Sequence, residues 1–86
     1  MSSILQVFPN PTNNTCNIQF ASSLHSKIRV EVYNTLGQEI FSQEVVSFSG
    51  QFKQEINLDN YLEGVYIINI LSDTGELYTD RICYIR

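Results

Sequence analysis

Short apolar segments with period-two alternation, separated by turn residues, are the feature that most constrains the fold of this chain. Successive side chains of a β-strand point to opposite faces of the sheet, so an alternating segment has one buried face and one solvated face. The clearest example is residues 27–33, where Ile28, Val30 and Val32 alternate with charged side chains. No segment has the period of a helix. The sequence therefore predicts an all-β fold.

Further segments with strand composition bring the predicted total to about seven strands. In residues 52–58 we expect Phe52, Ile56 and Leu58 to point inward. Residues 65–71 are apolar on both faces, which predicts a central strand with cover above and below. The other predicted strands are residues 4–8, 15–20, 38–46 and 76–85.

Turn residues separate these segments. Gly37 and Gly75 stand where a tight hairpin requires a positive φ, and Ser49-Gly50 offers a third corner. Residues 8–14 contain two prolines, which lack amide donors and restrict the residue before them, so this segment is predicted to be a stiff loop. Together these signals predict one domain over residues 4–86, an immunoglobulin-like antiparallel β-sandwich, with residues 1–3 as a start or linker remnant.

Charge and hydropathy disfavour several classes of partner. The chain has five Lys and Arg against nine Asp and Glu, and its basic residues are scattered, so we expect no nucleic-acid binding. The longest apolar run, residues 65–68, is far shorter than the roughly 20 residues of a membrane-spanning helix, so we expect no membrane insertion. Residues 1–4 have neither the charged nor the apolar region of a signal peptide, which predicts that any export signal precedes this sequence.

Few residues carry catalytic or metal-binding chemistry. Asp73-Thr74-Gly75 is the triplet of aspartic proteases, but an ordinary turn prefers the same residues. His25 is the only histidine, and a zinc site would need it to meet Cys16 and Cys83 by coincidence. We therefore expect no enzyme activity, no metal and no cofactor. The two cysteines either form a disulfide that closes a long loop or remain buried thiols.

Four pieces of the sequence occur in the order of a known family. Residues 7–11 match an opening strand with a Pro-Asn-Pro loop, and residues 30–38 match a strand, a turn and a glycine. Residues 56–58 lead through a short loop into a Gly-Val-Tyr strand, residues 64–70, and a hairpin at Gly75 feeds the last strand. In this order the pieces resemble the type A C-terminal sorting domains of type IX secretion cargo in Bacteroidota, also called Por secretion system sorting domains.

The resemblance implies both a function and a set of positions. Such a domain would direct an N-terminal cargo through the type IX machinery across the outer membrane, and a surface peptidase would then remove it in the linker before Ile4. The cargo would cross the periplasm and be secreted or kept on the cell surface, where attachment to lipopolysaccharide is an option. The implied sorting-motif positions are Pro9, Asn10, Pro11, Gly37, Gly64, Tyr66, Gly75, Arg81 and Arg86.

The last strand, residues 76–86, is the expected contact with the outer-membrane machinery. An edge strand presents unpaired backbone groups that a partner can extend, and the same edge would permit a weak dimer. We expect the prolines and glycines to act mainly by shaping the fold. Tyr66 is expected to be a core aromatic residue whose hydroxyl reaches a backbone group.

An immunoglobulin-like or fibronectin-like accessory module for adhesion or carbohydrate binding is the alternative function. Carbohydrate binding would use exposed aromatic side chains that lie coplanar on one face, and the candidates are Tyr33, Tyr61, Tyr78 and Tyr84. Strand alternation puts Tyr78 and Tyr84 on the same side of the last strand. A structural spacer is a third interpretation.

Overall fold

A computed structural model of the chain describes residues 3–22, 27–46 and 50–86. Within these residues there are seven β-strands and no helix. The strands are β1 Ile4–Phe8, β2 Thr15–Ala21, β3 Ile28–Asn34, β4 Glu39–Val45, β5 Gln51–Asn57, β6 Gly64–Ser72 and β7 Leu77–Tyr84. The prediction of about seven strands and an all-β fold is confirmed, and no predicted boundary is more than one residue from the observed one.

The strands form two antiparallel sheets. One sheet has the order β1-β2-β5 and the other has the order β4-β3-β6-β7. Strands β2 and β5 are therefore neighbours, as are β3 and β6, and both pairings are typical of immunoglobulin-like sandwiches. The predicted fold class is confirmed.

The inward faces of the two sheets form one hydrophobic core. The predicted inward rows are confirmed, because Ile28, Val30 and Val32 of β3 are buried and so are Phe52 and Ile56 of β5. The fully buried side chains of the core are Tyr84, Phe20, Ile18, Ile28, Leu58, Ile68, Ile70, Ile82, Val30, Val32 and Cys16. Removal of this apolar surface from water is the main stabilising term, because each fully buried aliphatic or aromatic side chain contributes about 1.5–3 kcal/mol.

Strand β6 is central, as predicted, because it lies between β3 and β7. The expected cover on both of its faces is wrong. Ile68 and Ile70 face the core, whereas Val65 and Leu71 on the other face are 38% and 37% exposed. The described residues form only two layers, so none of them covers the outer face of this strand.

Two hairpin turns have the same construction. In the β3–β4 turn, Gly37 has φ +82° and the side-chain oxygen of Asn34 accepts a hydrogen bond from the backbone N–H of Gln38. In the β6–β7 turn, Gly75 has φ +94° and the hydroxyl of Ser72 accepts a hydrogen bond from the backbone N–H of Glu76. Only glycine adopts such φ values at low cost, so the glycine assignments from the sequence are confirmed.

Some positions considered above lie outside the described residues. They are His25, residues 1–2 and Ser49 of the predicted third corner. Gly50 of that corner is described and has φ +101°. Its carbonyl accepts a hydrogen bond from the backbone N–H of Ser22 at 3.0 Å.

Candidate functional site

The sandwich has two ends, and the strand directions decide which residues meet at each. We call the end where β1 begins, at Ile4, the proximal end; the β6–β7 turn with Gly75 lies there too. The opposite, distal end contains the β1–β2 connection, the β3–β4 turn, the β5–β6 loop and the end of β7. Strand β6 has nine residues and runs from one end to the other. At a rise of about 3.3 Å per residue, its first and last Cα atoms, and so the two ends, are about 26 Å apart.

The β1–β2 connection crosses from the three-stranded sheet to the edge of the four-stranded sheet. Asn10 Nδ2 donates to the carbonyl of Arg81 at 2.8 Å, and Asn10 Oδ1 accepts from the backbone N–H of Cys83 at 2.9 Å. The side-chain amide of Asn10 thus offers β7 one donor and one acceptor, as the peptide groups of a neighbouring strand would. Pro9 and Pro11 flank it, and the peptide bonds before both prolines are cis.

Thr12 continues this contact with its backbone. Its N–H donates to the carbonyl of Cys83 and its carbonyl accepts from the N–H of Ile85, both at 2.8 Å, which forms a parallel bridge with β7. Thr12 is 2% exposed, and its hydroxyl donates to the carbonyl of Thr15. We call residues 9–12 the strap, because they bind β7 through one exposed residue, Asn10, and one buried residue, Thr12.

The strap changes the interpretation of the β7 edge. Backbone groups that point away from β6 belong to alternate residues, and from the N–H of Arg81 to the N–H of Ile85 all but one are hydrogen-bonded to the strap. The exception is the N–H of Arg81, which donates to the carboxylate of Asp80 at 2.8 Å. The expectation of an open edge is therefore wrong for this half of the strand. Thr79, earlier in β7, has no backbone partner on that side among the described residues.

Arg86 is bound to the β5–β6 loop. Its guanidinium Nη2 donates to the carbonyls of Asp59 and Tyr61 at 2.9 Å and 3.1 Å. Its Nε donates to the hydroxyl of Tyr84 at 2.9 Å, and its backbone N–H donates to Oε1 of Glu63 at 2.7 Å. These contacts join the end of β7 to the loop that precedes β6.

Tyr66 stabilises the same loop from the inside. Its side chain is 4% exposed, and its hydroxyl donates to the carbonyl of Leu62. This is the tyrosine corner of immunoglobulin-like sandwiches, in which a tyrosine near the start of this strand binds the backbone a few residues upstream. The expectation of a core aromatic residue with a bonded hydroxyl is confirmed. Burial is the main cause that raises the pKa of Tyr66.

The sorting-motif positions lie mainly at one end of the molecule. Pro9, Asn10, Pro11, Gly37, Gly64, Tyr66 and Arg86 lie at the distal end. Arg81 lies on β7 and contacts the strap through its carbonyl, while its guanidinium has no partner among the described residues. Gly75 lies at the proximal end.

Two exposed leucines at the distal end were missed by the sequence reasoning. Leu36 at the tip of the β3–β4 turn is 83% exposed, and Leu62 in the β5–β6 loop is 84% exposed. Together with Val65 they line a shallow groove of about 130 Å³. A leucine inside a turn signal is the sequence feature that could have identified them, because turns prefer polar residues and glycine.

The two cysteines are free thiols in the structure. Cys16 is fully buried in the core, whereas Cys83 alternates with buried Ile82 and Tyr84 and so lies on the outer side of β7. The disulfide that the sequence left open is absent. Burial, together with the Asp80 carboxylate, raises the pKa of the Cys16 thiol to about 11.

Two tyrosines proposed as a carbohydrate platform face the core instead. Tyr84 is 1% exposed, and Tyr78 lies against Phe20 with ring centroids 4.9 Å apart. They do share one side of β7, as alternation predicts, but that side is the interior.

The protease-like triplet forms the β6–β7 turn, which is the ordinary role of these residues, and Asp73 is exposed there. In the part of the chain that the structure describes, no group of His, Cys, Asp and Glu is placed to hold a metal ion. The same residues contain no helix with the length and apolar content needed to span a membrane.

Comparison with known proteins gives a consistent assignment. A search of curated protein sequences finds no significant match. A family model described as a secretion system C-terminal sorting domain matches residues 6–84, nearly the whole chain. The match includes the strap, the tyrosine corner and the whole of β7. The chain therefore belongs to the C-terminal sorting domains that act as sorting signals for cargo of the type IX secretion system.

Proposed function

We propose that the distal end of this sorting domain is the surface that the type IX machinery recognises. Family membership gives the sorting role, and the proposal concerns the part of the domain that carries it. One observation supports it most: the sorting-motif positions, apart from Gly75, lie at the distal end or contact it through the strap. Ile4, where chain from an N-terminal cargo enters, lies at the other end.

The distance between the two ends is appropriate for a signal that many different cargo proteins share. A machine that exports many different cargoes must bind a surface that all of them leave accessible. Cargo attached before β1 lies about 26 Å from the distal end, which is the length of β6 at about 3.3 Å per residue. The fold would then hold the recognised surface away from whatever protein precedes it.

The distal end offers a partner two kinds of contact. Leu36 and Leu62 are almost fully exposed, and burial of such a side chain contributes about 1.5–3 kcal/mol. On the neighbouring outer side of β7, the guanidinium of Arg81 has no partner among the described residues and can bind a carboxylate. We infer a partner surface that combines an apolar cleft with acidic side chains.

The domain itself has a targeting role and no chemical step in this account. We place its removal by a surface peptidase before β1, because from Ile4 onward the backbone is paired with β2. A peptidase needs extended backbone that is free of such pairing. The released cargo would then be secreted or kept on the cell surface.

A secretion assay with paired substitutions tests the proposal. The whole chain is fused behind a reporter that carries a signal peptide, and the fusion is expressed in a bacterium with a type IX system. The distal variant is Leu36→Ser with Leu62→Ser. The matched control is Val46→Ser with Leu77→Ser, because these side chains are 70% and 58% exposed at the proximal end.

We expect the distal variant to reduce export about tenfold, which corresponds to about 1.4 kcal/mol of lost binding free energy. The proximal control should export as well as the unaltered chain. Circular dichroism of both purified variants shows that they remain folded. Equal export by the two folded variants would contradict recognition through the distal end.

A further inference from the structure

The edge of β7 is closed mainly by side chains. Between the N–H of Arg81 and the N–H of Ile85, five backbone groups point away from β6. The N–H of Arg81 donates to the carboxylate of Asp80. The carbonyl of Arg81 and the N–H of Cys83 are hydrogen-bonded to the side-chain amide of Asn10. The carbonyl of Cys83 and the N–H of Ile85 are hydrogen-bonded to the backbone of Thr12. Three of the five are thus satisfied by side chains, where an ordinary sheet would place a further strand.

We propose that Asn10 and Asp80 keep the β7 edge closed against pairing with a second copy of this chain. An open edge is a template for strand addition, and proteins protect such edges with prolines, inward-pointing charges and covering loops. All three features occur here, in Pro9 and Pro11, in Asp80 and in the strap. This inference concerns the isolated domain and does not depend on which surface the secretion machinery recognises.

A second copy is the occupant that the geometry favours when the edge is opened. Two identical edges that pair antiparallel about a two-fold axis satisfy each other's backbone groups, so one interface serves both copies. Among the described residues, the N–H and carbonyl of Thr79 already lack a partner on this side. Removal of the side chains of Asn10 and Asp80 would lengthen the open segment from Thr79 to the N–H of Cys83.

Analytical ultracentrifugation of substituted chains tests the proposal. The opened variant is Asn10→Ala with Asp80→Ala, and the control is Asn13→Ala, which removes a neighbouring exposed amide that makes no hydrogen bond to the described residues. We expect the opened variant to dimerise at least about tenfold more tightly than the unaltered chain and the control. With Thr79→Cys added, oxidation should cross-link the opened variant. A folded opened variant that stays as monomeric as the control overturns the proposal.

Amide hydrogen exchange tests the same closure in the unaltered protein, so the proposal does not depend on the variants being stable. The N–H of Cys83 should be protected almost as well as those of Ile82 and Tyr84, which pair with β6. Asn10→Ala should remove the protection of Cys83 and leave that of the other two. Exchange at Cys83 as fast as at Thr79 in the unaltered chain would also overturn the proposal.

Discussion

The guanidinium of Arg86 lies over the ring of Tyr84, with its carbon 5.7 Å from the ring centroid, and its Nε donates to the Tyr84 hydroxyl. Tyr84 is a buried core residue, whereas Arg86 is exposed. Through this pair, and through the loop carbonyls that Arg86 also binds, the residues after β7 are fixed to the distal end. The position of Arg86 is therefore determined by the fold.

Arg86→Ala is expected to cause a small loss of stability, because it removes the guanidinium contacts with Tyr84 and the β5–β6 loop. Lysine should not restore it, since a single ammonium cannot reproduce the planar set of donors. Urea unfolding measures the effect. Arg81→Ala is the control, because the Arg81 side chain has no partner among the described residues. An equal loss from both substitutions would contradict the assigned role.

Tyr66→Phe is expected to destabilise the domain by about 1 kcal/mol, the usual net contribution of a hydrogen bond. The substitution removes only the hydroxyl that donates to the carbonyl of Leu62 and keeps the buried ring. Urea denaturation gives the free energy of unfolding. Tyr61→Phe serves as control, since the Tyr61 hydroxyl makes no hydrogen bond to the described residues, and it should leave stability unchanged. If the two substitutions have the same effect, the tyrosine corner is not a stabilising feature of this domain.

The two hairpin glycines are predicted to respond alike. Gly37→Ala and Gly75→Ala each force a side chain into a positive φ, at a cost of about 1–2 kcal/mol. Apart from the adjoining residues, no atom in the described part of the chain lies within 4 Å of the added Cβ in either turn, so backbone strain is the cause of the loss. Thermal unfolding of both variants tests this. A variant as stable as the parent would show that the turn adopts another conformation.

Stability is expected to fall as the pH rises from about 9 to 11. The pKa of Cys16 is raised from 9.0 to about 11 by burial and by the Asp80 carboxylate, so the folded state keeps the thiol proton that the unfolded state loses. The stabilisation is complete below pH 9 and is lost as the pH approaches 11. Urea unfolding across this range measures the slope.

Cys16→Ala is the control for that slope. It should reduce the pH dependence of the free energy of unfolding between pH 9 and 10. This range is chosen because it lies below the raised pKa of Tyr66. The same burial predicts that a thiol reagent modifies Cys83 in the folded protein and modifies Cys16 only after unfolding. Rapid modification of Cys16 in native buffer would contradict the buried placement.

The sequence contains enough information to predict the strands, because period-two alternation and glycine turns are local signals. Residues 27–33 illustrate this, since their apolar row is the buried row of β3. Contacts between distant segments carry no such signal. Asn10 and Cys83 are 73 residues apart, and nothing local indicates that a side-chain amide would occupy the place of a strand. The outer face of β6 was misjudged for a related reason, because apolar composition does not show whether another layer covers it.

The nine motif positions were identified by resemblance, and their spatial arrangement could not be predicted from composition. Gly37 and Gly64 come from different loops, and they meet at one end only because β3 and β6 are adjacent and antiparallel. Leu36 could not be predicted as part of this surface, because a single exposed leucine in a turn has no periodic partner. Tyr66 was predicted well, since a buried tyrosine needs a partner for its hydroxyl.

Secretion of a fused reporter tests most directly whether this folded domain is a type IX sorting signal. A reporter with a signal peptide is expressed in a type IX-competent bacterium with and without the whole chain at its C-terminus, and cell fractions are assayed. We predict reporter on the cell surface or in the medium only when the chain is present. Reporter retained in the periplasm by a fusion whose sorting domain is shown to be folded would contradict it.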